Sequence, residues 1–205
     1  MINKLYRSIR KATFNISILE KIEKIRTKYK TNYYRKLKNI TLGKNCSVFY
    51  KSSIINLGRV IIGNNVKLGR SHILYHAGMP FFTTLFTFDA DATIKIGDNC
   101  RVNGAYIHAQ KEIFIGNNCV IASGVNIIDS NGHELISKNR TIGRDKPKSI
   151  EIGNNVWIGL NVTILKGTSI GNNCVIAAGS VVKGEFPDNV LIQGNPAVIV
   201  SKLEI

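Results

Sequence analysis

The chain has 205 residues, 44% of them apolar, and a formal net charge of +15. That is enough apolar material for one substantial core, and with no run of about 20 apolar residues it excludes a transmembrane helix. The start lacks a long apolar stretch followed by a small-residue cleavage site, so no secretory signal is read and a cytoplasmic location is the default expectation.

Charge is concentrated at the start. Residues 1–38 hold 12 Lys/Arg against two Glu. Ile2, Leu5, Tyr6 and Ile9 fall at helical spacing, as do Ile18, Ile22, Ile25 and Tyr29, which predicts one or two basic amphipathic helices over 1–39. Such a segment can shield the first unit of a repeat array and keep a solvated basic face. It can also attach the protein to an anionic membrane surface, at the inner face of the membrane. The rest of the chain shows no basic stripe with interleaved aromatics, so nucleic acid is not an expected partner.

From residue 40 onward one motif recurs. Ile-Gly-Asn-Asn-Cys or a close variant starts at Leu42, Ile62, Ile96, Ile115, Ile152 and Ile170. The last stretch is the most regular: Ile152, Ile158, Ile164, Ile170, Ile176 and Val182 are six apart, with Val156, Val162, Thr168, Cys174 and Ser180 between them. A period of six is neither helical nor simple strand alternation. It fits short strands joined by tight bends, each strand turning one large and one small residue inward. The Gly-Asn-Asn supplies the bend, because Gly and Asn accept positive φ. Three strands make a triangular coil of 18 residues, and Ile152 to Ile170 is one coil. In the earlier coils Ile96, Val102 and His108, then Ile115, Ile121 and Ile127, fill the large slots, and Leu42, Val48, Ile54, Ile62, Leu68 and Leu74 make two looser coils. The expected fold is an all-β solenoid over 40–200, stabilised by stacking of coils.

Two long insertions interrupt the repeat, near 75–93 and 128–149. Both are read as following the third strand of a coil, which would hang them from one edge. Long loops on a regular scaffold are usually functional. The first, from Tyr75 and His76 through Phe81, Phe82, Leu85, Phe86 and Phe88, is aromatic enough to pack on the solenoid or on a neighbouring subunit. The second, Asp129-Ser130-Asn131-Gly132-His133-Glu134 to Lys146-Pro147, is polar.

Cys46, Cys100, Cys119 and Cys174 all sit four residues after a leading apolar residue. They read as small core residues, not as metal ligands or disulfide partners. Of the four histidines, His72 and His108 fall on repeat slots, and His76 opens the aromatic loop. His133 stands in a polar Gly-His-Glu context, where an imidazole that titrates near neutral pH can move a proton.

The repeat resembles the left-handed parallel β-helix of the hexapeptide-repeat acyltransferases, in particular sugar and polysaccharide O-acetyltransferases of the maltose and galactoside type. The resemblance covers roughly residues 40–200 and implies about six triangular coils, a homotrimer, acetyl-CoA as co-substrate and no metal. It is carried by the 124–133 loop, by Lys146-Pro147-Lys148, by Ile152-Gly153-Asn154-Asn155-Val156-Trp157-Ile158-Gly159 and by the terminator Gly194-Asn195-Pro196-Ala197. It implies His133 as the general base that takes the proton of a sugar hydroxyl. It places Asn103 and Asp129 on the acceptor side, with Asp129 or Glu134 also able to orient the imidazole. Trp157, Gly159, Ala177, Lys183 and Gly184 are the matching donor-side positions. Val198 stands where the family usually has a basic residue, and Lys202 is the nearest substitute. The implied activity is transfer of acetyl to a sugar hydroxyl in surface-polysaccharide synthesis. Acetyl transfer to serine, an amino sugar or an antibiotic, or a non-catalytic binding scaffold, are the alternatives.

Overall fold

The computed structural model describes residues 2–71 and 75–204, with side chains from residue 16 onward. Among these, the strands form three sheets of seven, eight and six members, called here sheets 1, 2 and 3. The chain visits them in rotation. Ile40–Leu42 lies in sheet 1, Ser47–Val48 in sheet 2 and Ser53–Asn56 in sheet 3, and Arg59–Ile62 then returns to sheet 1 beside Ile40–Leu42. Six complete coils follow this path. A seventh begins with Glu185–Phe186 and Val190–Gly194, and Ala197–Lys202 turns back antiparallel on the latter. The other pairings are parallel and in register, so equivalent residues form columns along the prism.

The period of six is the inward period. Ile152, Ile158, Ile164, Ile170, Ile176 and Val182 are all buried, as are the small residues Val156, Val162, Thr168, Cys174 and Ser180. Each isoleucine removed from water contributes about 1.5–3 kcal/mol. Cys100, Cys119 and Cys174 are buried in the small slot and Cys46 is partly so. The thiols of Cys46, Cys100, Cys119 and Cys174 donate to backbone carbonyls of neighbouring turns at 2.8–3.2 Å.

At the sheet 1–2 corner the division of labour inside Gly-Asn-Asn differs from the sequence expectation. Positive φ belongs to the second Asn (Asn45, Asn65, Asn99, Asn118, Asn155, Asn173, Asn189), at 54–60°. The glycine is needed for close stacking instead. A Cβ on Gly116 would meet the Gly153 carbonyl oxygen at 2.6 Å, and one on Gly153 the Gly171 carbonyl at 2.7 Å. The first residue of the Asn pair clamps the coils: Asn64, Asp98, Asn117, Asn154, Asn172 and Asp188 each accept, through Oδ1, the N–H of the equivalent residue one coil back at 2.6–2.9 Å.

Three further corrections concern register. The third strand of the second coil is Thr84–Thr87, with Leu85 in the buried column Ile54, Leu85, Ile107, Ile127, Ile164 and Val182. Leu74 lies outside the described residues, as does His72. The first insertion therefore runs over 69–83, between sheets 2 and 3, and not over 75–93. Only the second insertion, 129–149, follows a third strand, so the two loops hang from different edges. Finally, Ile107 occupies the inward slot and His108 points outward. The Asn103-Gly104 turn is one residue shorter than Ala122-Ser123-Gly124 in the next coil, and Gly104 takes φ 59° to close it.

The basic segment is one continuous helix, α1 (Ile2–Arg35), about 50 Å long at 1.5 Å per residue. Its last turns grip the first coil. The Thr31 hydroxyl accepts the Val48 N–H at 2.9 Å, the Tyr34 hydroxyl accepts the Ile54 N–H at 2.9 Å, and the Arg35 guanidinium donates to the carbonyls of Leu42 and Gly43. Ile18, Ile22, Ile25 and Tyr29 remain exposed on α1. The side chains of Ile2, Leu5, Tyr6 and Ile9 lie outside the described residues.

Gly153→Ala places a methyl against two backbones that cannot move independently. It should destabilise the solenoid by about 1–3 kcal/mol, read as a lowered denaturant midpoint.

Candidate active site

The sheet 2–3 edge carries one group of candidate residues. Gly69, Asn103, Ala122, Gly159 and Ala177 each follow a sheet 2 strand, and each donates its backbone N–H to the next coil, at 2.6–2.9 Å. They form one column. The described part of the 69–83 loop from Tyr75 onward packs beside it. The Ser123 hydroxyl donates to the Gly78 carbonyl at 2.7 Å, and Met79 and Phe81 pack so closely on Gly104 that a Cβ there would stand 2.5 Å from Met79 Cγ. Between loop and sheet lies a groove of about 340 Å³, with Arg70, Tyr75 and His76 on one side and Asn103, Trp157 and Gly159 on the other. The Asn103 amide reaches the Ile121 carbonyl only at 3.5 Å, so it has donor and acceptor capacity left for a ligand. Trp157 is 56% exposed, which leaves its ring face available. Gly159 is required by the fold as well, since a Cβ would meet the Ala178 N and Ile176 O at 2.8 Å.

The sheet 3–1 edge carries the other group. The 129–149 loop leaves strand Asn126–Ile128 and returns at Ile150–Ile152. Its ends are held by two aspartates with different roles. Asp129 is fully buried, and its carboxylate accepts the backbone N–H groups of Gln110, Lys111 and Glu112 at 2.7–2.9 Å. Burial pushes its pKa up, and these three donors partly offset the effect. With both oxygens occupied and no exposed surface, Asp129 is a bend-fixing residue. It makes no hydrogen bond to the His133 imidazole and has no exposed surface to offer an acceptor, which corrects the sequence expectation. The exposed Glu134 carboxylate lies toward Gly143.

Asp145 holds the backbone just before His133. It accepts from the Ser130 hydroxyl at 2.5 Å and from the backbone N–H groups of Asn131 and Gly132 at 2.8 and 3.2 Å, and it is ion-paired with Lys166 of the next coil. Burial raises its pKa, but the Lys166 ammonium, the Ser130 hydroxyl and the Asn131 N–H prevail and hold it at about 2. Arg144 adds a second tie, its guanidinium 4.4 Å from the Phe88 ring centroid on the outer face of sheet 3. On that face His108 stacks on Phe86 at 4.8 Å, and its Nε2 is buried without a hydrogen-bond partner among the described residues. Burial lowers the His108 pKa, against the opposing charges of Asp129 and Asp89.

His133 follows directly after the residues clamped by Asp145. Its side chain is exposed and carries no hydrogen bond among the described residues. It does not line the Asn103 groove. Lys183 and Gly184 lie on its edge, two coils further on, where Gly184 O accepts the Ser169 N–H at 2.9 Å. The structure thus brings Asn103, Trp157 and Gly159 together, with Ala177 in their column, and sets His133, Lys183 and Gly184 on the neighbouring edge. Arg70, His76 and Asp145 complete the two groups. Of these only His76 carried a sequence signal, through its place in the aromatic loop. Among the described residues no three His, Cys, Asp or Glu side chains converge as metal ligands would.

A triangular solenoid of stacked parallel coils, with loop-built grooves on its edges, is a parallel β-helix. Residues 149–184 match the family model described as bacterial transferase hexapeptide (six repeats). The chain is 34% identical over 172 residues to WbbJ of Escherichia coli K12, named as a lipopolysaccharide biosynthesis O-acetyl transferase, covering 78% of this chain and 80% of that one. It is 40% identical over 119 residues to the acetyltransferase YJL218W of Saccharomyces cerevisiae, where the match spans 58% of this chain and 60% of the relative. A galactoside acetyltransferase solved in complex with coenzyme A superposes with a TM-score of 0.54 at 29% identity, over 74% of this chain and 65% of that chain. The chain belongs to the hexapeptide-repeat acetyltransferase family.

Asp145 titrates at about 2 in the fold against 3.8 as its ordinary value. A depressed carboxyl pKa stabilises above the ordinary value, and the stabilisation fades as pH falls through the folded one. At pH 5 Asp145→Asn should therefore loosen the loop by about 2 kcal/mol, seen as faster amide exchange at Asn131 and Gly132. The gap between variant and wild type in acid-denaturation experiments should close as pH falls from about 4 to 2.

Proposed function

We propose that the protein transfers acetyl from acetyl-CoA to a sugar hydroxyl, and that the sugar belongs to a surface-glycan precursor. The observation that carries this is the pairing of two incomplete half-sites. One edge holds an open groove with an amide that has bonding capacity left and an exposed indole, and the neighbouring edge holds a loop histidine that follows the residues clamped by Asp145. In a homotrimer, packing the first edge of one subunit against the second edge of the next completes the site, and this is the assembly proposed here. The names of WbbJ and of the galactoside acetyltransferase support sugar O-acetylation, and the coenzyme A complex of the latter supports the donor.

The reaction needs little from the protein beyond placement and one base. The His133 imidazole takes the proton as the sugar oxygen bonds to the acetyl carbonyl carbon. Collapse of the tetrahedral intermediate breaks the carbon–sulfur bond, and the imidazolium returns the proton to the departing thiolate. The products are the acetyl ester and free CoA. Holding thioester and hydroxyl side by side contributes most of the remaining acceleration. Asn103 bonds the acceptor. Trp157, Gly159 and Ala177 line the donor path from one subunit, and Lys183 and Gly184 line it from its neighbour. The basic helix α1, with its exposed Ile18, Ile22, Ile25 and Tyr29, would hold the enzyme at the inner membrane face, where lipid-linked precursors are found.

His133→Ala should lower turnover by about 10²–10⁴-fold and leave the melting temperature unchanged, measured as CoA release with acetyl-CoA over a panel of sugars. Full activity in the variant would remove His133 from the mechanism. Light scattering reads the trimer, and a monomeric active enzyme would overturn the two-edge site.

A further inference from the structure

A second, larger groove adjoins the Asn103 groove. Between helix α1 and the outer face of sheet 2 lies an open groove of about 610 Å³. Lys24 and Lys28 line it from the helix, and Lys67 and Arg70 from the coil side. None of these four cations has an ion-pair partner among the described residues, where the one ion pair is Lys166–Asp145. Arg35 also faces the groove, but its guanidinium is committed to the Leu42 and Gly43 carbonyls. Glu20 and Glu23 are the two acids in the lining. Cations gathered along one groove repel one another and focus a positive field. An anion between them relieves that repulsion, and Arg and Lys suit phosphate oxygens.

The two grooves are continuous in charge and in residues. Arg70 lines both. Lys67 is the in-register strand neighbour of Arg101, which lines the Asn103 groove. A ligand can therefore place a neutral ring beside Asn103 and a doubly charged group beside Lys28 and Lys67.

We propose that this groove binds the pyrophosphate of a carrier-linked sugar, the acceptor whose hydroxyl is acetylated beside Asn103. The proposal rests on the acetyl-transfer reading for the adjoining groove and names its acceptor class, a glycosyl pyrophosphate. A nucleoside and a polyprenol are the two carriers that share this chemistry. The volume is larger than a pyrophosphate needs and leaves room for the first part of the carrier.

The test uses the full-length protein and three probes: inorganic pyrophosphate, UDP and farnesyl pyrophosphate, each titrated calorimetrically into wild type and the double variant Lys28→Gln/Lys67→Gln. Both replaced residues are exposed, so the variant should fold, and its melting temperature checks this. Expected is saturable pyrophosphate binding that weakens with salt and falls about tenfold or more in the variant, with acetyl-CoA affinity unchanged. Tighter binding of UDP assigns a nucleotide carrier and tighter binding of farnesyl pyrophosphate a lipid carrier, and either supports the proposal. Absence of pyrophosphate binding, or equal binding by the variant, overturns it. So does a parallel loss of acetyl-CoA affinity, which would make the groove part of the donor site. Failure of wild type to bind acetyl-CoA would sink the acetyl-transfer reading instead, and the pyrophosphate titration would still decide the groove.

Discussion

The step from one coil to the next at the sheet 1–2 corner is the constraint on which the rest of the molecule depends. There the backbone of each Gly from Gly43 to Gly153 lies against the Gly of the following coil and that of Gly171 against Pro187, and the Asn or Asp beside it clamps the amide behind. Every copy of this corner has the same four-residue length, from 43–46 to 171–174. An added residue would separate the stacked glycines and break a column of side-chain bonds that runs through the prism. Variation is thereby confined to the other two edges. Both loops, both grooves and every candidate catalytic residue lie there or on the faces between them.

Most of the fold was legible in the sequence because burial and periodicity express the same geometry. A residue recurring every six positions is inside because three bends bring it back to the same wall. The failures have equally local causes. Leu74 and Leu85 are both apolar and both fit a strand slot, and the aromatic residues around Leu85 read as a loop although Phe86 and Phe88 decorate the outer face of sheet 3. The shortened Asn103-Gly104 turn shifted the inward slot from His108 to Ile107, a one-residue change that reverses which side chain meets solvent. Within Gly-Asn-Asn, backbone propensity alone could not show that Asn takes the left-handed conformation and Gly the tight contact.

The site was legible as a set of residues but not as an arrangement. Asn103, Trp157 and Gly159 came from motif positions and do meet in one groove. Asp129 and Glu134 were natural partners for His133 by proximity in sequence, yet the buried Asp129 serves three backbone amides of the preceding coil. Asp145, in a polar loop with no periodicity, gave no sign of its part. It organises the histidine loop because Lys166, one coil away and 21 residues later, meets it there. A contact of that kind arises from stacking and leaves no local pattern.

The final strand has a consequence for the life of the molecule in a crowded solution. A stack of parallel, in-register coils exposes at each end a row of unpaired amides and carbonyls that any extended segment can join. Left bare, each end would seed growth, and the architecture would approach that of a fibril. Here α1 lies on the first coil, and Ala197–Lys202 reverses direction on the last parallel strand of sheet 2. The reversed strand no longer presents, on sheet 2, the parallel register that each earlier coil offered to the next.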